Sequence, residues 1–185
     1  SAAPRRFAMR FEIPLTTTLM GIGACDTTEP LSLQMLGMHG TPAANYAVED
    51  CDFLIAVGSR FDDRVAAVPE KFAPRAKKIA HFDVDPCEIG KVKAVQWHNV
   101  GVLDRDLRQL VAWADRHKIN TDFSEWHREL AALKKTYAMH YDRESPLIQP
   151  YYVIEEINRL TKGEAIITTG VGQHPMWSAQ YFDFR

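Results

Sequence analysis

The stretch from Leu36 to Arg64 limits the possible folds more than any other part of the chain. It reads Leu-Gly-Met-His-Gly-Thr-Pro-Ala-Ala-Asn-Tyr-Ala-Val-Glu-Asp-Cys-Asp-Phe-Leu-Ile-Ala-Val-Gly-Ser-Arg-Phe-Asp-Asp-Arg. Its order is a glycine loop from Gly37 to Gly40, a short helix opened by Thr41 and Pro42, an apolar strand from Phe53 to Val57, and a polar turn ending in charges. Pro42 suits the first helical turn, where its missing N–H costs nothing, and Thr41 is a capping residue. A continuous apolar run such as Phe53 to Val57 belongs to parallel sheets buried on both faces. Glycines let the backbone approach a ligand, and the helix start behind them offers N–H groups to an anion such as a nucleotide diphosphate. A bare Gly-x-x-Gly fits an ordinary loop before an ordinary helix equally well.

The same alternation continues on both sides. Pro4 to Phe11 reads as the tail of an amphipathic helix with no start signal before it, so the chain is expected to be cut from something longer. It runs into a short buried strand at Ile13–Thr17, then a turn at Gly21–Gly23, and Pro30 to Leu36 is expected to make one or two helical turns. After the central stretch come a helix around Val65 to Phe72, a strand along Lys78–Pro86 ending in acids, and one more strand within Ala94–Val102. His81 alternates with apolar neighbours and is expected to pack inside that strand. Leu103, Leu107, Leu110, Val111 and Ala114 recur at helical spacing, and a second helix capped by Thr121 or Asp122 carries Phe123, Trp126, Leu130, Leu133 and Tyr137 on one face. Pro150 opens a third helix closed by Lys162–Gly163, followed by a strand at Ala165–Thr169, a glycine turn at Gly170–His174 and a helix from Pro175. The fold class is therefore α/β, with an open parallel Rossmann-like sheet flanked by helices, a linker and an incomplete second α/β unit. The expected division is 1–118, 119–149 and 150–185.

Composition narrows the function classes. The 185 residues are 46% hydrophobic and 25% charged with a net charge of −2, and Lys and Arg are scattered, so no basic field advertises nucleic acid or a membrane surface. No apolar run approaches the roughly 20 residues of a membrane span, and the first residues carry no pattern of charged n-region, apolar h-region and cleavage site. Three widely spaced cysteines, Cys25, Cys51 and Cys87, suit a reducing compartment rather than disulfides or zinc. A cytoplasmic location is expected.

Five segments carry a resemblance to a known family: Pro14–Gly21, Met35–Thr41, Ala44–Val48, Gly58–Val65 and Thr169–Trp177. Together they resemble the catalytic large subunits of acetohydroxyacid synthase, or acetolactate synthase, thiamine-diphosphate enzymes. The likeness covers essentially the whole chain. It implies a reaction in which pyruvate is decarboxylated and the hydroxyethyl group condenses with pyruvate or 2-oxobutyrate, giving acetolactate or acetohydroxybutyrate for branched-chain amino acid biosynthesis. It also implies FAD, bound without net redox chemistry, thiamine diphosphate and Mg2+, a homo-oligomer, and a regulatory small subunit.

Residue by residue, the resemblance places FAD against His39, Gly40, Thr41, Gly58, Ser59, Arg60, Asp62, Arg64 and Val65, with Asp83, Val84, Glu88 and Ile89 at the adenosine side. Arg64 resembles the arginine that holds the acceptor's carboxylate, a task suited to the guanidinium fork. Met38, Asp63 and Arg64 match positions lining the substrate channel. Val171, Gly172, Gln173 and His174 match the thiamine-diphosphate turn. On this reading residues 1–118 are most of an FAD-binding middle domain and 150–185 begin a thiamine-diphosphate domain. The family's Gly-Asp after the last sheet strand is Gly101-Val102 here. The cofactor-activating glutamate and the Mg2+ motif fall outside the chain, so no catalytic residue or metal ligand is expected within it, and the fragment alone is expected to be inactive. Two alternatives remain: another thiamine-diphosphate carboligase or oxidase, and a non-catalytic nucleotide-binding module.

Overall fold

Two parallel sheets, each covered by helices, carry the chain in the computed structural model, which describes residues 2–185. The order is α1 (Ala2–Phe11), β1 (Leu15–Thr17), β2 (Ser32–Met35), α2 (Pro42–Asp50), β3 (Phe53–Val57), α3 (Asp63–Ala66), β4 (Lys78–Asp83), β5 (Trp97–Val100), α4 (Leu103–Arg116), α5 (Ser124–Thr136), α6 (Pro150–Thr161) and α7 (His174–Tyr181). Short 3-10 turns lie at Leu19–Gly21, after β1, and at Pro86–Glu88, after β4.

The α/β class with open parallel sheets is as expected, but the strands divide into β1-β2 and β3-β4-β5 rather than forming one sheet. Gln34 in β2 has a positive φ of 64°, and the β1–β2 register shifts between Leu15 and Thr17. Such a bulge bends its strand and increases the local twist. The core nevertheless crosses the break, because Leu54 packs both on the cluster of Leu33, Leu36, Ala44, Ala47, Val48, Ala73 and Leu130 and on the cluster of Ala56, Phe61, Ala66 and Ile79. On the other face of the three-stranded sheet, Phe82 packs with Ala3 and Leu107 beneath α1 and α4. Arg10 of α1 donates to Asp115 of α4 at 2.5 Å, which fixes that helix pair.

Four local expectations are corrected. Pro30–Leu36 is not helical: Ser32–Met35 is a strand, because pairing with β1 satisfies its backbone and buries Ser32, Leu33 and Met35. Strand β3 is an edge with Phe53 half-exposed, and the strand buried through most of its length is the central β4, from Ile79 to Asp83. Helix α3 ends at Ala66 rather than Phe72, since Pro69 has no N–H to extend it and pushes Val68 away from helical angles. Residues 165–169 form no strand, and Ile166 is almost fully exposed. A β-prone run holds strand geometry only with a neighbouring ladder.

The chain beyond residue 150 packs against the rest through α7 and the residues after it. Phe182 is buried and Thr27 N–H donates to Phe184 O at 2.9 Å, while within the segment itself Asn158 Nδ2 donates to Asp183 Oδ2 at 2.9 Å. Tyr141, Tyr151, Trp177 and Tyr181 form an aromatic cluster between α6 and α7. Helix α5 begins at Ser124, two residues after Asp122 and three after Thr121, with Phe123 in the cap position. Asp122 Oδ1 accepts from Ser124 N–H, while Thr121 Oγ1 instead donates to Phe11 O.

Candidate functional site

Three hydrogen bonds draw the loops at the carboxyl ends of the strands into one line. Met38 N–H donates to Arg64 O at 3.0 Å, Gly58 N–H to Phe82 O at 2.8 Å, and Gly101 N–H to Asp83 O at 2.9 Å. The loops after β2, β3, β4 and β5 therefore share one crest, where open α/β sheets take their ligands. All the predicted residues from Met38 to Ile89 lie on it.

The glycine loop is built for close packing. Gly37 has φ +100°, and a methyl group on it would overlap Arg64 O. A methyl group on Gly40 would overlap Met35 O and stand 2.5 Å from Leu36 C and 2.6 Å from Leu36 Cα. Asn45, one turn into α2, clamps Gly37 from both sides: its Oδ1 accepts from Gly37 N–H at 2.9 Å and its Nδ2 donates to Gly37 O at 3.0 Å. Thr41 caps α2 as expected, accepting from Ala44 N–H at 3.2 Å while its hydroxyl donates to Leu33 O at 2.7 Å. With Gly37 N–H bonded to Asn45 Oδ1, Met38 N–H to Arg64 O, Gly40 N–H to Gly37 O and Thr41 N–H to Met35 O, the loop spends most of its N–H groups on partners within the protein. Among the described residues only His39 keeps an unbonded loop N–H, so this loop is less an anion cradle than a rigid floor.

The turn after β3 is organised by a residue the sequence reading passed over. Phe61 is buried at 3% exposure with a left-handed φ of 54°, its ring edge-on to Phe72 at 5.8 Å and to His81 at 5.2 Å. Its burial turns the neighbouring charges outward. The available signal was a lone aromatic residue between Arg60 and Asp62-Asp63-Arg64. Asp62 then caps α3, accepting from Arg64 N–H at 3.2 Å. Arg64 stands between Met38 and Asp63, with Nη1 3.8 Å from Met38 Sδ and Nε 3.9 Å from Asp63 Oδ2. Arg60 lies 3.9 Å from Asp62. Exposed pairs this long hold a guanidinium weakly, so both arginines stay open to an ionised ligand.

At the end of β4, Asp83 is buried and accepts from Asp85 N–H at 2.9 Å, and Asp85 accepts from Cys87 N–H at 2.8 Å. Val84 points into solvent, whereas Glu88 is engaged by Lys91 at 2.9 Å. His81 is packed in β4 as expected, fully buried, and among the described residues neither ring nitrogen has a hydrogen-bond partner. On β5 and α4, the Arg105 guanidinium and then the Asn99 amide hold the Asp106 carboxyl below its ordinary value of 3.8.

Val171, Gly172, Gln173 and His174 are all exposed and form the turn that opens α7. Gly172 has φ +149° with the His174 ring against it, and Gln173 makes no side-chain cap bond, so this helix start carries no side-chain hydrogen-bonded cap. Helix α7 touches the crest at its far end: Gln180 Nε2 donates to His39 O at 2.8 Å.

Residues 1–110 match the family model described as thiamine pyrophosphate enzyme, central domain. Acetolactate synthase 1, chloroplastic, from Oryza sativa subsp. japonica is 50% identical over 175 residues, covering 94% of this chain and 27% of that protein. Acetolactate synthase 2, chloroplastic, from Zea mays is 49% identical over 185 residues, 97% of this chain and 28% of its own length. Acetolactate synthase, chloroplastic, from Arabidopsis thaliana is 43% identical over 182 residues, 97% and 27% respectively. The chain thus spans little more than a quarter of the length of these curated relatives. Their names place them in the chloroplast, which overturns the expected cytoplasmic location: cysteine usage reports a reducing environment and does not tell one such compartment from another.

Proposed function

We propose a function from the premise that this chain belongs to the thiamine pyrophosphate enzyme central-domain family. The full-length protein is an acetolactate synthase that decarboxylates pyruvate and joins the two-carbon unit to a second 2-oxo acid, pyruvate or 2-oxobutyrate. The observation that carries this reading is the open guanidinium of Arg64, seated between Met38 and Asp63 above the rigid glycine loop. Its fork binds the carboxylate of the acceptor in two-point geometry, Met38 gives the acceptor an apolar wall, and Asp63 biases the guanidinium without locking it. The names of the relatives support the reaction.

The crest also fits FAD. Arg60 and Arg64 offer charge to the diphosphate that the glycine loop, with its N–H groups already bonded, does not, and Asp83 and Asp85 offer carboxylates for ribose hydroxyls. His39, Gly40, Thr41, Gly58, Ser59, Asp62 and Val65 form the backbone floor. The residues at 171–174 fit thiamine diphosphate, because the α7 start is open and its N–H groups face no capping side chain. When bound, thiamine diphosphate supplies the carbanion chemistry that lets a 2-oxo acid lose CO2. We assign 1–118 to the FAD domain, 119–149 to a connecting segment and 150–185 to the start of the thiamine-diphosphate domain. Mg2+, self-association and a regulatory subunit belong to the same reading.

Arg64→Ala in the full-length enzyme tests it. Losing a charge-assisted contact to an ionised ligand costs about 1.5–3 kcal/mol, roughly ten- to a hundredfold in the condensing step. Single-turnover kinetics separates that step from CO2 release, which is expected to change little. Arg64→Lys restores charge without the fork and rescues only in part. Unchanged dependence on acceptor concentration in Arg64→Ala refutes the assignment.

A further inference from the structure

The crest ends at β5 in a feature that neither the substrate site nor the thiamine turn uses. Asp106, in the first turn of α4, is buried and holds two partners: its Oδ2 accepts from Asn99 Nδ2 at 2.7 Å and its Oδ1 from Arg105 Nε at 2.8 Å. The contact holds Arg105 through Nε, and its side chain stays 62% exposed. Gly101 makes room for this pair. A methyl group there would overlap Asp106 Oδ2 and stand 3.3 Å from Arg105 Nη2. Because Gly101 N–H is bonded to Asp83 O, the guanidinium lies over the turn that borders the end of β4. Val84 and Val102, in these same turns, present apolar side chains to solvent.

A flat cationic plane, apolar side chains and carboxylates at adjoining strand ends are the chemistry of an adenosine seat. Guanidinium planes stack on aromatic faces, apolar side chains pack a base, and carboxylates accept from ribose hydroxyls. We propose that Arg105 is the specificity-determining contact for the adenosine half of a dinucleotide, its guanidinium laid against the adenine and held there by Asp106 and Asn99. The inference rests on the reading of FAD binding above and adds which residue makes the site choose a dinucleotide over a mononucleotide. Asp106 is a positioning residue, acting through Arg105.

The test titrates the 185-residue chain with FAD and, separately, with FMN, following flavin fluorescence. The wild type is expected to prefer FAD. Arg105→Ala is expected to weaken FAD about tenfold, the loss typical of one stacking or charge-assisted contact, and to leave FMN within about twofold. Arg105→Lys keeps the charge without the plane and is expected to recover less than half of that loss in log affinity. A melting temperature equal to wild type certifies the fold of each variant. Unchanged FAD affinity in Arg105→Ala, equal weakening of both flavins, or full rescue by lysine overturns the role of Arg105 and leaves the flavin reading standing. A wild type that binds FMN as tightly as FAD also overturns it. A wild type that takes up neither flavin refutes the flavin reading, and the inference with it.

Discussion

Phe61→Ala tests whether one buried ring holds the charged turn in place. The side chain is 3% exposed among Ala56, Ala66 and Ile79 and contacts the rings of Phe72 and His81. Emptying such a site costs about 3–5 kcal/mol, the transfer of the ring plus the cavity it leaves. In a chain of this length that lowers the melting temperature by roughly 6–20 °C, at about 2–4 °C per kcal/mol. The backbone adds a second, independent expectation. Phe61 has φ 54°, a conformation that costs an L-residue about 1–2 kcal/mol and glycine almost nothing. Glycine elsewhere is about 0.5–1 kcal/mol less stable than alanine, so at this position Phe61→Gly is expected to equal or exceed Phe61→Ala in stability. Urea unfolding followed by circular dichroism measures both differences. A loss below about 1 kcal/mol for Phe61→Ala, or glycine falling below alanine by the usual margin, refutes the reasoning.

Gly40→Ala drives a methyl group into the backbone of Met35 and Leu36, atoms that cannot swing aside, and is expected to cost more than about 2 kcal/mol. Gly23→Ala, with φ +86° and open space around it, is the control, expected to cost about 1–2 kcal/mol, and thermal melts rank the two. Because the Asp106 carboxyl is held below its ordinary value, its contribution is present above about pH 4 and fades as the pH falls through its folded-state value. Asp106→Asn is therefore expected to flatten the acid limb of melting temperature against pH, and parallel acid limbs would contradict the assignment. Burial raises the Cys51 thiol to about 11. At pH 8 its alkylation, followed by mass spectrometry, is expected to run roughly a hundredfold slower than that of a free cysteine.

How much was legible in the sequence depended on whether the deciding interactions were local. The caps and breaks of α2 and α6 are set by Thr41, Pro42, Pro150 and the left-handed Lys162 before Gly163, all within a few residues of the backbone they serve. The apolar spacing of α4 and the runs at β3 and β4 likewise fixed element type without reference to distant partners. The crest residues at Met38–Thr41 and at Gly58–Val65 were recognisable because each of the two motifs is contiguous, and contiguity keeps the members of one motif together in any fold that places a turn there.

What required the tertiary structure was every outcome set by residues far apart in sequence. Ser32–Met35 became a strand because β1 stood ready to pair with it, and residues 165–169 did not because no strand lay beside them. The burial of Phe61 depends on Phe72 and His81, the fixing of Gly37 on Asn45 and Arg64, and the link between α7 and the loop on Gln180 reaching His39. The sequence by itself determined where the chain turns, caps and crosses the core, because those are short-range steric and hydrogen-bonding choices. Only the fold decided which turns meet at the crest, because a hydrogen bond or a close backbone approach exists only once both partners have been brought within a few ångströms.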